Sequence, residues 1–368
     1  METYLYDERR CIAPPLQTML TFRKSIITAI ILVGFIFLLR SSHSSKTSTS
    51  TLPYDLLRDD QATGKNVKLK NQRPLNAPPL ASLRDRLRYQ FPYDLEAKFP
   101  AYIWQTWKYT PASMWFDSEL RVAEASWTEL HPGFVHEVIP DDTQRHLIKY
   151  LYTAVPEVYE AFEALPLAVL KADFFRYLVL LARGGIYSDI DTTALKPAPD
   201  WLPAGMDLST IGFVIGIEAD PDRPDWHEWY SRRIQFCQWT IQAKPGHPIL
   251  RDLVATITEE ALRMKRAGFL TNGKTDKTIV EFTGPGVWTD TIFRYFNDPE
   301  YFNIQSDETR NVTYEDFTNM VERKKVGDVV VLPITSFSPG VAQMNAQDVD
   351  DPMAFVKHDF GGIFSPAI

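Results

Sequence analysis

Residues 167–183 carry apolar side chains at 167, 170, 174, 178 and 181, the spacing of one helical face, and the run stops at Gly184-Gly185. Most other faces are apolar too, so the spacing predicts a buried helix. Its charges are few: Lys171, Asp173, Arg176 and the terminal Arg183. Asp173 and Arg176 stand three apart and share a face. Burying them is costly unless they meet partners. After the glycines, period 2 predicts a strand reaching Asp191. Ile186, Ser188 and Ile190 point one way; Tyr187, Asp189 and Asp191 point the other. Two carboxylates and a tyrosine thus share a face beside a helix bearing an acid and a base, which reads as a site.

Aspartates at i and i+2 on a strand end offer oxygen ligands to a hard divalent cation such as Mn2+ or Mg2+. Positions left open on such a cation suit diphosphate oxygens, whose developing charge the ion neutralises. Solvated turns also produce Asp-x-Asp triplets, but Ile186, Tyr187 and Ile190 make this strand too apolar for one.

The run LPLAVLKADFFRYLVLLARGGIYSDIDTTALKP, ending at Pro197, resembles the core of glycosyltransferases that share an Asp-x-Asp sugar-binding motif. Within that group the chain is similar to the fungal initiation-specific α-1,6-mannosyltransferases and, more distantly, to the glucosylating domains of clostridial toxins. The blocks AYIWQTWK (101–108), GIEADPDRPDWHEWY (216–230), FCQWTIQAKPGHPIL (236–250), FTGPGVWTDTIF (282–293) and VLPITSFSPGVAQM (331–344) extend the resemblance over roughly residues 96 to 360.

The resemblance implies a GT-A-like fold, with Asp189 and Asp191 on the metal and sugar diphosphate and His358 as a late metal ligand. It implies that Asp173 and Arg176 contact donor-sugar hydroxyls. Tyr187 and Trp104 would line the nucleotide pocket, the indole stacking on the base. Locally, Trp104 also fits a core tryptophan and His358 a surface histidine. Relatives follow that histidine with Gly-Ser-Trp, where this chain has Gly362-Ile363-Phe364. Trp288 and Asp290, in a Gly-Pro-Gly-Val-Trp-Thr-Asp loop, suit a substrate contact or a plain loop anchor. Glu218 and Asp220 suit acceptor hydroxyls or a leaving proton, or else a solvated strand end.

The net charge of -8, with no Lys/Arg-rich run in the body, argues against nucleic acid as a partner. Alternation of strand-like and helical stretches from Ala101 onward predicts an α/β domain with a mainly parallel sheet. Residues 25–39 carry no charge between Arg23-Lys24 and Arg40. As a helix they rise about 22 Å, and residues 20–24 bring them close to the ~30 Å hydrocarbon core. Basic residues before the segment place the N-terminus in the cytosol.

The expected order is a cytosolic tail (1–24), a transmembrane signal-anchor (25–40), a luminal stem (41–95) and a catalytic domain (96–368). A short span suits the early secretory route, so a Golgi type II protein is expected. Cys11 and Cys237 then lie on opposite sides of the membrane, and Asn311-Val312-Thr313 is an accessible glycosylation sequon.

By resemblance, the chain transfers mannose from GDP-mannose in α-1,6 linkage to an N-linked glycan, with retention and metal dependence. Two other readings stand beside it. One is a membrane-anchored, non-catalytic subunit of a transferase complex, motivated by Ile363 and Phe364. The other is a phosphatase using an aspartyl nucleophile in Asp189-Ile-Asp-Thr-Thr, for which Gly327-Asp328 would have to supply the downstream acid.

Overall fold

The computed structural model of the protein describes residues 81–270, 278–302 and 310–359. In chain order the elements are α1 (Leu83–Gln90), β1 (Tyr102–Trp107), α2 (Arg121–Leu130), β2 (Val135–Pro140), α3 (Asp141–Leu151), α4 (Pro156–Ala164), α5 (Ala168–Arg183), β3 (Gly185–Ser188) and β4 (Thr192–Ala194). There follow β5 (Phe213–Ala219), β6 (Gln235–Phe236), β7 (Thr240–Ala243), α6 (Pro248–Ala267), α7 (Ile279–Phe282), α8 (Pro285–Phe296), β8 (Lys324–Val326), β9 (Val329–Leu332), α9 (Ile334–Phe337) and β10 (Val356–His358).

The main sheet runs β2-β1-β3-β7-β5-β9-β8, with β6 added on β5. It is mixed, not mainly parallel. Strands β1, β2, β3, β5 and β9 share one direction, while β6, β7 and β8 oppose it. Part of the reason is local: β8 and β9 are joined by the two-residue Gly327-Asp328 turn, a link too short for anything but antiparallel pairing.

Period 2 along the strands sorts two cores onto the two faces of the sheet. Trp104, Tyr187, Phe213, Ile215 and Val331 face the helical layer containing α3, α5 and α6. Ile103, Ile186, Val214, Val330 and Leu332 face a second cluster around Trp127, Trp201 and Phe337. Helix α5 lies deep in the first layer, every residue from Asp173 to Leu181 being buried.

The end of α5 depends on its glycines. Gly184 closes the helix at φ +63°, and Gly185 opens β3 at φ +97°. A Cβ on Gly185 would stand 2.6 Å from the Tyr102 carbonyl oxygen of the neighbouring strand. Gly185→Ala is therefore expected to cost about 3 kcal/mol through backbone strain and overpacking. A denaturant midpoint equal to wild type would contradict this.

The stretch 41–95, expected to be a stem that need not fold, includes an ordered segment at its C-terminal end. Residues 81–95 pack on the domain. Ser82 caps α1 by accepting from the Asp85 N–H at 3.1 Å. Leu83 and Leu87 are buried, and Arg84 pairs with Asp252 at 2.6 Å and Glu259 at 2.9 Å on α6. The Leu-x-x-x-Leu spacing was hidden among charges and prolines. The anchor expected at 25–40 lies outside the described residues, among which no helix is long and apolar enough to cross a membrane.

Candidate active site

Arg176 organises the site from the buried face of α5. Its Nη2 lies 3.1 Å from Asp173 Oδ1 and 3.2 Å from Asp189 Oδ1, so one guanidinium edge joins the helix to the strand end. Nη1 donates to the Gln238 carbonyl at 3.3 Å, and the group lies over the Tyr187 ring at 5.1 Å. Nε is buried without a partner. Thr283 donates to Asp173 Oδ2 at 2.8 Å, and the Tyr187 hydroxyl donates to Asp189 Oδ1 at 2.8 Å.

These contacts set the charges. Burial pushes the Asp173 carboxyl up to about 6, against the pull of Arg176 and Thr283. Burial raises Asp189 as well, with Arg176 opposing and Asp191 adding to the rise. Arg176 stays cationic: burial disfavours its charge, but Asp189, Tyr187 and Asp173 more than offset it.

The expected strand through Asp191 is shortened. β3 ends at Ser188, and Asp189-Ile190-Asp191 forms the turn into β4. The Thr192 N–H closes that turn on the Asp189 carbonyl at 3.2 Å, and the Asp189 N–H is tied to the Trp239 carbonyl at 2.8 Å. Gln105 Nε2 donates to the Asp189 carbonyl at 3.1 Å. Ile190 packs inward against Phe116 and Val138, which leaves the flanking carboxylates outward.

Strand β10 pairs antiparallel with β4, setting His358 opposite Thr192. His358 Nε2 comes 3.4 Å from Asp191 Oδ1, its ring held against Trp239 at 4.8 Å. One ligand atom from each of Asp189, Asp191 and His358 lies within 4.8 Å of the others. Two carboxylates and an imidazole at this range suit a divalent cation with mixed oxygen and nitrogen affinity, such as Mn2+. The cation would also relieve the repulsion between the two carboxylates.

Other sequence candidates fall elsewhere. Trp104 is 7% exposed, packs on Tyr102 at 5.1 Å and donates to the Gly184 carbonyl, so it is a core side chain and offers no face to a base. Tyr187 is buried and reaches the site only through its hydroxyl. Trp288 is fully buried, stacked on Tyr177 at 5.4 Å and bonded to the Cys237 carbonyl. Its supposed loop is the helix α8, for which Pro285 supplies the first turn. Asp290 pairs with Arg232 on the surface at 2.6 Å. Asp220 pairs with Arg233 at 3.1 Å and accepts from the Asn319 N–H at 2.6 Å, so its charge is already matched. Asn311 is exposed, and Gly362-Ile363-Phe364 lie outside the described residues.

Glu218 is different. It stands where the β5–β6 register shifts between Ile217 and Ala219, and its Oε2 is buried without a partner. Burial raises its carboxyl to about 7, opposed by Gln235, His358 and Arg176. Sequence reading missed Gln238, Thr283, Trp239 and Gln105. All four work through a backbone carbonyl or a neutral amide or hydroxyl, for which no local pattern exists.

A charged pair buried in a helix, an Asp-x-Asp turn at the sheet edge and a histidine delivered by a distant strand together define a glycosyltransferase of the Asp-x-Asp type. The family described as "Glycosyltransferase sugar-binding region containing DXD motif" matches residues 117–206. The chain is 42% identical over 359 residues to the initiation-specific alpha-1,6-mannosyltransferase of Candida albicans, covering 92% of this chain and 93% of that one. It is 44% identical over 281 residues to the Schizosaccharomyces pombe protein of the same name (76% and 66% covered) and 37% identical over 407 to that of Saccharomyces cerevisiae (81% and 85%). The solved PaToxG Glycosyltransferase aligns at 16% identity and a TM-score of 0.37 over 58% of this chain and 74% of that chain. The chain belongs to the family of initiation-specific α-1,6-mannosyltransferases.

Proposed function

We propose that the protein transfers mannose from GDP-mannose, with retention and in α-1,6 linkage, to an N-linked glycan in the Golgi, anchored by residues 25–40. The observation that carries the reading is the meeting of Asp189, Asp191 and His358 beside Arg176. Family membership supports mannose and the linkage, since relatives covering most of the chain carry that activity in their names.

In this reading Asp189, Asp191 and His358 hold Mn2+ or Mg2+. The cation supplies positive charge for the leaving diphosphate. Arg176 keeps its guanidinium fixed between Asp173 and Asp189 and has an unused Nε–H to give to a donor oxygen. Asp173 accepts from a sugar hydroxyl. The donor C1–O bond breaks with its electron pair leaving on GDP, and the acceptor oxygen bonds to C1 from the same face. The acceptor proton departs with the diphosphate. Asp220 is matched by Arg233, which leaves Glu218 as the remaining candidate for a covalent route. A glycosyl-enzyme trapped on Glu218 would overturn front-side attack.

The test uses the full-length chain in detergent with Mn2+, GDP-mannose and a high-mannose glycan. A new α-1,6-linked mannose in linkage analysis is the expected result. Transfer from a UDP-sugar but not from GDP-mannose would remove the donor assignment. Metal-dependent GDP-mannose binding without transfer would favour the non-catalytic subunit.

A further inference from the structure

Strand polarity fixes what borders the Asp-x-Asp turn. Strands β1, β3 and β5 point the same way, so the segments leaving their C-terminal ends lie along one edge of the sheet. β7 runs the other way between β3 and β5, so its entry, Gln238-Trp239, lies on that edge as well. The order along the edge is therefore the loop after β1, the Asp189–Asp191 turn, Gln238-Trp239, and Glu218 with the 220–230 loop. Strands β2, β1 and β3 form the parallel half, where a nucleotide is expected. Glu218 and its loop lie on the opposite side.

Two features there are unexplained by the donor chemistry. First, Glu218 sits at a β-bulge, a device that re-aims a side chain, and its Oε2 is buried with no hydrogen-bond partner. A buried carboxylate oxygen left unsatisfied is costly unless a ligand fills it. Second, Trp229 is 64% exposed yet held in place. The Arg223 guanidinium covers one face of the indole at 5.0 Å and is itself gripped by Asp225 through two bonds of 2.5 and 2.6 Å. The Trp229 and Tyr230 N–H groups both close on the Trp226 carbonyl, at 3.0 and 2.9 Å. Glu218 lies at the end of β5 and Trp229 in the connection from β5 to β6, so both belong to one stretch of chain at this edge of the sheet.

We propose that Glu218 and the 220–230 loop form the acceptor subsite, in which one hexose of the acceptor glycan stacks on the open face of Trp229 and donates a hydroxyl to Glu218. A sugar ring fits both requirements, since its C–H face packs on an indole while its rim donates hydrogen bonds. A clamped indole loses little conformational freedom on binding, which favours affinity. The proposal rests on the transferase reading, but acceptor binding is measurable without the donor.

The experiment uses the full-length chain in detergent and a free high-mannose oligosaccharide. Trp229→Ala is expected to raise the acceptor KM about tenfold or more, with the GDP-mannose KM within twofold, and Trp229→Phe to recover most of the loss. Calorimetric titration of the oligosaccharide without donor should show the same weakening. An unchanged acceptor KM in Trp229→Ala, a donor KM rising in step, or no oligosaccharide binding to wild type would each overturn the subsite. Oligosaccharide binding that is lost in Trp229→Ala, without transfer from GDP-mannose, would keep the subsite and remove the donor.

Discussion

Asp189→Asn combined with Asp191→Asn is expected to lower mannose transfer at least 1000-fold while leaving the thermal midpoint within a few degrees. Each change keeps side-chain shape and removes one negative charge from a cluster that must hold a divalent cation against a diphosphate. Removing a single preorganised electrostatic group from a transition state costs roughly 100- to 1000-fold, and two acting on one centre cost at least the larger figure. Stability changes little because asparagine still accepts from the Tyr187 hydroxyl, and Arg176 keeps Asp173 at 3.1 Å. Mn2+ titration separates this from misfolding. Wild type should be activated by the metal and silenced by a chelator, whereas the double variant should respond to neither. Transfer within tenfold of wild type would sink the metal reading.

The charges of the site were legible because the sequence places them where charges do not belong. Asp173 and Arg176 interrupt an apolar helix three residues apart, and Asp189 and Asp191 end an apolar strand. Tryptophans carried no such contrast. Trp104 in an apolar strand reads the same whether its indole lines a pocket or a core, and only the helical layer laid over that face decides it. Trp288 was misplaced for a related reason: Gly-Pro-Gly suggests a loop, although proline at a first helical position is a start signal.

Topology was less legible still. His358 reaches Asp191 only because β10 pairs with β4, a contact between strands far apart in sequence and without a pattern of its own. The antiparallel β7 set between β3 and β5 likewise has no signature in its four residues. Family resemblance supplied His358; the bulge that turns Glu218 could come only from the pairing register.

Away from the site, Asp328→Asn is expected to destabilise the protein by about 3–5 kcal/mol, the range for breaking a buried, hydrogen-bonded charge. Asp328 lies in the β8–β9 turn, where it serves structure and not the phosphatase role considered from sequence. Tyr93 donates to its Oδ2, Tyr295 donates to Oδ1 at 2.8 Å, and His247 Nε2 lies 3.2 Å away. The His247 Nδ1 accepts from the Ile249 N–H at 3.2 Å, so the proton resides on Nε2 and the neutral ring is itself a donor to Asp328. Three donors thus converge on one carboxylate, and an amide in its place brings two more hydrogens among them.

The same cluster sets the acid stability. Burial pushes Asp328 up, but the bonds from His247, Tyr93 and Tyr295 outweigh it and hold the carboxyl well below its usual range. Its contribution is present above the unfolded value near 4 and is lost as pH falls below that. Burial lowers His247, so the unfolded chain takes up that proton first as pH falls through about 6.5, which also weakens the fold. Wild-type stability should therefore decline in two stages, one beginning near pH 6.5 and one below about pH 4. In Asp328→Asn the lower stage should shrink by the share of this one carboxyl. Because Tyr93 belongs to the segment packed between α1 and β1, the variant should also expose residues 81–95 to protease before the core opens. Equal stability of variant and wild type from pH 7 down to pH 3 would show that the three donors do not depend on the carboxylate.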